Sequence, residues 1–105
     1  LKPTKEMPGV NLMDTAAVAK RDTLYGACFT HNAVDIHNPA KNVRWRWVLS
    51  NGWKLIVPDT ANEKGATVEL YHVAKDPDEK TNLAASDPAK VAELTKTLDA
   101  WWPAK

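Results

Sequence analysis

Hydrophobic and polar positions change period along this chain, and the changes divide it into elements. Toward the C-terminal end, Val91, Leu94, Leu98 and then Trp101 or Trp102 recur at helical intervals, an apolar stripe along one side of a helix. Asp87 precedes the stripe as N-cap, and Pro88 takes the first helical position, where its missing N–H has no partner to lose. Pro103 stops the helix. Upstream the period shortens to that of strands. Thr23 to Thr30 favours a strand, weakened by Gly26. Val43 to Ser50 reads as a second strand, Trp53 to Val57 as a third and Val68 to Val73 as a fourth.

The connections carry their own signals. Asn51-Gly52 is the strongest short hairpin signal available, because both positions tolerate the positive φ of a type I′ turn. Asn38-Pro39 marks another turn, and a polar loop with Asn62, Lys64 and Gly65 precedes the fourth strand. Asp14 caps a short helix over Thr15 to Lys20. Residues 1–12, with Pro3, Pro8 and Gly9 among polar positions, read as an extended linker. The predicted fold is α+β, a four-stranded antiparallel sheet with a C-terminal amphipathic helix packed on one face.

The hairpin fixes a register. A two-residue turn pairs Ser50 with Trp53, hence Val48 with Leu55 and Trp47 with Ile56. One face then carries Trp45, Trp47, Leu49 and Ile56, and the other Val48, Trp53, Leu55 and Val57. Both faces are apolar, whereas an antiparallel sheet with one wet face alternates cleanly. A single helix covers one face. The other is expected to be covered by a domain absent from this chain, since residues 1–12 are too polar to make a lid; wrapping by that N-terminal segment is the alternative.

Composition narrows the function classes. At 105 residues the chain suffices for one domain, and its hydrophobic fraction of 44% is that of a globular protein rather than a disordered one. No apolar run approaches the roughly 20 residues of a membrane-spanning helix. With 14 basic and 13 acidic residues and a net charge of +1, nothing points to nucleic acid or an anionic membrane as partner. Cys28 is the single cysteine, so cysteine use leaves the redox compartment open. The chain opens on Leu1-Lys2-Pro3-Thr4-Lys5 without a signal segment, as expected of a piece cut from something longer.

Candidate chemistry is sparse. Asp76-Pro77-Asp78-Glu79-Lys80-Thr81-Asn82-Leu83 starts like a calcium loop but has Lys80 and Thr81 where an oxygen ligand and a glycine are needed. It reads instead as a turn set by Asp76 and Pro77, with Asn82 satisfying local backbone groups before Leu83 returns to the core. Cys28, His31 and His37 with His72 lack the paired spacing of a structural zinc site, and Cys28 is expected to be a small buried hydrophobe. Arg44-Trp45-Arg46-Trp47 interleaves cations with aromatics, yet strand alternation puts the arginines on one face and the tryptophans on the other. Five tryptophans against one phenylalanine suit packing at an interface, and exposed tryptophans can also stack on sugar rings.

Several stretches together resemble the C-terminal part of formylglycine-dependent sulfatases, the arylsulfatase-like members of the alkaline phosphatase superfamily. They are Pro8-Gly9-Val10-Asn11-Leu12-Met13-Asp14, Arg21-Asp22 leading into Tyr25-Gly26, Trp53-Lys54-Leu55-Ile56, Glu69-Leu70-Tyr71-His72-Val73, Asp76 to Ala84, and the closing helix to Trp101. His72 stands where the family's fourth strand has aspartate. The resemblance implies residues 1–20 as a linker and short helix leading from a missing catalytic domain, and residues 21–105 as a noncatalytic C-terminal subdomain packed on it.

The implied parent hydrolyses sulfate esters, with calcium and a formylglycine as working parts, in a periplasmic or secreted setting. Its partners are the N-terminal catalytic domain and a sulfated carbohydrate or aryl substrate. The family nucleophile arises within Cys/Ser-x-Pro-x-Arg. Cys28-Phe29-Thr30-His31-Asn32 lacks both the proline and the arginine, so Cys28 inherits no such role, and no calcium ligand maps onto this chain. Because such a subdomain can border the substrate cleft, His31, with His37 and Arg46 behind it, is the candidate to face a sulfated substrate. The other reading is a free-standing module that binds carbohydrate or peptide through exposed tryptophans.

Overall fold

The Asn51-Gly52 hairpin organises the molecule. In the computed structural model, which describes Thr4, Met7 and residues 9–103, Asn51 and Gly52 adopt φ of 49° and 79°, the left-handed conformation that a type I′ turn requires. They join β2 (Val43–Ser50) to β3 (Trp53–Pro58) in the expected register, Ser50 opposite Trp53, Val48 opposite Leu55 and Trp47 opposite Ile56. β1 (Thr23–Phe29) lies on the far side of β2, and β4 (Glu69–Tyr71) beyond β3. All neighbours are antiparallel, so the sheet is a meander in sequence order. With α2 (Pro88–Trp101) the fold is α+β, as the sequence predicts.

The helix starts where its cap places it: the Asp87 carboxylate accepts from the Lys90 amide at 3.0 Å, with Pro88 in the first turn. Asp14 does the same for α1 (Thr15–Ala19), accepting from Ala17 at 2.9 Å. α1 nevertheless buries no side chain. Pro3 and Pro8 of the expected linker lie outside the described residues; at its end the Asp14 and Met13 amides close a turn on Asn11.

The core lies between α2 and one face of the sheet. Val48, Leu55 and Leu70 meet Leu94 and Leu98 there, each at most 3% exposed, with Tyr25, Trp53, Val57, Leu83 and Val91 packed around them. Two contacts anchor the helix end. The Arg46 guanidinium reaches the Asp99 carboxylate at 2.9 Å and the Trp102 carbonyl, and the Tyr25 ring stacks on Trp101 at 5.2 Å.

Two expectations need adjusting, and a third is borne out in a specific form. The fourth strand has three residues rather than Val68 to Val73, because Lys75 and Asp76 turn back onto the His72 carbonyl. Asn38-Pro39 opens a 3₁₀ turn over Pro39–Asn42. Cys28 is exposed rather than buried, since β1 is an edge strand and Cys28 faces away from the helix. The Asp76 segment is the turn predicted for it: its two carboxylate oxygens accept from the Lys80 and Thr81 amides, which holds the group below its ordinary pKa.

Candidate functional site

Alternation along the strands sends a second set of side chains to the face opposite α2: Leu24, Gly26 and Cys28 from β1, Trp45, Trp47 and Leu49 from β2, Lys54 and Ile56 from β3, Glu69 and Tyr71 from β4. Of these only Tyr71 is buried. Leu24 is exposed, and Trp45, Trp47, Leu49 and Ile56 stay half-buried. The tryptophan side of the sheet is therefore not sealed by the described residues of this chain.

The face is shaped as well as apolar. Two shallow recesses of about 340 and 300 Å³ lie on it and share Leu49 and Val73. Leu24, Gly52 and Ala74 line the first, and Trp47, Lys54 and Glu79 the second. Glu79, held at a φ of 53°, accepts from the Lys54 ammonium at 2.7 Å, an ion pair at the rim of the second recess, while Arg21, Asp22 and Asn51 border the first. The Trp47 indole lies flat across Gly26, its neighbour on β1, with no room for a Cβ beneath it. Sequence reasoning identified the tryptophans of this face but not Val73 and Glu79, which arrive through a turn with no periodicity to announce it.

Another recess, about 410 Å³ between Val34, Lys41, Asp59 and Asn62, is a different matter. Of its lining, the Asn62 amide donates to the Lys41 and Val43 carbonyls, and next to it Asn42 accepts from the Val34 and Asp35 amides. It is built for holding the loop together.

The residues singled out for a cleft are not gathered in one place. His31 and His37 are exposed in the loop after β1, and the His37 amide donates to Asp35. Arg46 lies on the helix side of the sheet, 12% exposed at its side chain, with its guanidinium engaged by Asp99 and Trp102. His72 packs against Trp53 at 4.4 Å between ring centres, its Nδ1 buried without a partner. No cluster of three metal-ligating side chains exists among the described residues. In comparisons with known proteins, no family model matches the chain and no curated protein matches it.

One titration marks the margin of the face. The Tyr71 hydroxyl donates to the Glu69 carboxylate at 2.6 Å; that bond first, then burial, pushes the phenol up to about 12. Because the protonated form is the one favoured in the folded state, its contribution is complete below the ordinary value of about 10 and is lost as pH rises toward about 12. Alkaline titration followed by phenolate absorbance is expected to show Tyr71 ionising late, and Glu69→Gln to bring it back toward the ordinary range. An unchanged titration in Glu69→Gln would mean that the bond does not govern it.

Proposed function

We propose that this chain is the noncatalytic C-terminal subdomain of a formylglycine-dependent sulfatase, and that its open sheet face packs on the catalytic domain. The observation that carries the reading is that face: Trp45, Trp47, Leu49 and Ile56 half-buried beside an exposed Leu24, with no helix over them. An apolar trough rimmed by an ion pair has the composition of a protein interface, greasy at the centre and polar at the edge. Fully burying a large apolar side chain contributes about 1.5–3 kcal/mol, so completing the burial of even half-covered residues gives docking a substantial drive. The ordered series of motifs, from Trp53-Lys54-Leu55-Ile56 through Glu69-Leu70-Tyr71 to Asp76 and the closing helix, supports the family resemblance.

On this reading the family's formylglycine and calcium lie in the catalytic domain: Cys28 lacks the flanking proline and arginine of a Cys/Ser-x-Pro-x-Arg segment. Sulfate-ester hydrolysis accordingly belongs to the partner domain, and this subdomain supplies packing, with His31 and His37 free in an exposed loop that can border a cleft.

The test begins with the coding sequence upstream of Leu1, which is expected to specify a Cys/Ser-x-Pro-x-Arg segment. Co-expressed with that upstream domain, the chain is expected to co-purify and to support hydrolysis of an aryl sulfate, while the isolated chain hydrolyses none. The double variant Trp45→Ser, Trp47→Ser should weaken association at least about tenfold, a loss of roughly 1.4 kcal/mol or more. Undiminished association of that variant, or activity in the isolated chain, would overturn the reading. Saturable quenching of tryptophan fluorescence by oligosaccharide in the isolated chain would favour the free-standing binding module instead.

A further inference from the structure

The two edges of the sheet are finished differently. At the β4 edge the outward-facing residue is Leu70, and the chain satisfies it internally: its N–H donates to the Asn82 side chain at 3.1 Å and its carbonyl accepts from Leu83 at 2.8 Å. Among the described residues the β1 edge has no such cover. The Asp22 carbonyl accepts from Asn51, so Asp22 faces β2, and strict alternation turns Leu24, Gly26 and Cys28 inward with it. Thr23, Tyr25 and Ala27 therefore point their N–H and C=O groups outward. Among the described residues none of these six groups has a backbone partner.

Exposed edges are normally blunted by lysine, proline or an inward charge. Thr23-Leu24-Tyr25-Gly26-Ala27-Cys28-Phe29 has none of these, and its single irregularity falls at its very end, between Cys28 and Phe29. The chemistry that completes such a row is another extended strand. We propose that the strand is β1 of a second copy of this chain, paired antiparallel about a twofold axis at Tyr25, so that two four-stranded sheets become one.

The symmetry selects this occupant. A twofold axis sets each residue against its mirror position, which is unfavourable wherever the edge is charged, and β1 carries no charge. With the axis at Tyr25, the three outward residues are matched without remainder. Tyr25 opposes Tyr25, and Thr23 of each copy opposes Ala27 of the other, closing all six groups in hydrogen bonds. Apolar surface flanks the edge on both faces. Leu24 is 38% exposed on the open side and Trp101, stacked on Tyr25, is 43% exposed on the helix side, so the second copy covers both. The edge pairing uses the outward backbone groups of β1 and the docking proposal the side chains of the open face; they share only Leu24, so failure here leaves the docking proposal standing.

The experiment is sedimentation velocity of the chain from micromolar to millimolar concentration, together with amide hydrogen exchange read residue by residue. Dimer is expected to grow with concentration, and the Thr23, Tyr25 and Ala27 amides to gain protection in step, while Gly26 and Cys28, already bonded to β2, change little. Ala27→Pro deletes one outward N–H that the fold does not use, at an edge position where proline is tolerated. It is expected to weaken association at least about tenfold with unchanged secondary structure. A chain that stays monomeric to millimolar concentration, a dimer that leaves those three amides unprotected, or an Ala27→Pro variant that pairs as before would each overturn the proposal. Should Ala27→Pro fail to fold, Thr23→Pro, which likewise deletes an outward N–H, at the first residue of the strand, decides: loss of the dimer supports edge pairing and its retention refutes it.

Discussion

Leu55→Ala is expected to lower the free energy of unfolding by about 2–5 kcal/mol, whereas Ile56→Ala, one residue further along β3, should lower it by no more than about 1 kcal/mol. Leu55 is fully buried between the sheet and α2, in contact with a core that includes Leu70, Leu94 and Leu98, and truncating it opens a cavity that a close-packed interior fills poorly. Ile56 points the other way, half-covered on the open face, so its removal forfeits a partial burial and creates no cavity. A domain of this size changes its melting temperature by roughly 4–8 °C for each kcal/mol, which puts the two variants far apart in a thermal or denaturant melt. Equal losses would mean that the tryptophan face is as sealed as the helix face, and the docking proposal would lose its physical basis.

That contrast was legible before any coordinates. Asn51-Gly52 fixes the register from local turn chemistry alone, and the register sorts every β2 and β3 side chain onto a face. The α2 boundaries follow equally locally, from Asp87, Pro88 and the spacing of Leu94 and Leu98. What escaped the sequence depends on distant partners. The short β4 results from His72 capturing Lys75 and Asp76, and the exposure of Cys28 from β1 being an edge, which alternation alone cannot reveal. Strand alternation separates Arg46 from the tryptophans, but its hold on Asp99 and the Trp102 carbonyl joins positions more than fifty residues apart. The same is true of the trough: Leu49 and Trp47 follow from the strand pattern, whereas Val73 and Glu79 reach it only through the turn after β4.

Gly26→Ala sets local propensity against that tertiary packing. Glycine within a strand is unfavourable by roughly 0.5–1 kcal/mol relative to alanine, so propensity alone expects the substitution to stabilise. A Cβ at this position, however, would overlap three atoms of the Trp47 indole. The ring must leave its seat or the strands must part, and overpacking of this kind costs about 1–3 kcal/mol. The steric term is the larger, so Gly26→Ala is expected to destabilise by on the order of 1 kcal/mol, toward the low end because the open face lets the indole swing outward. Displacing that ring also raises a ridge across the trough, so association with the proposed catalytic domain should fall more steeply than stability does. Denaturant melts of the two single variants and the double variant with Trp47→Ala separate the contributions. With the indole gone, Gly26→Ala should turn neutral or stabilising. Stabilisation in the presence of Trp47 would mean that the ring does not rest on Gly26, and the trough would have a different floor.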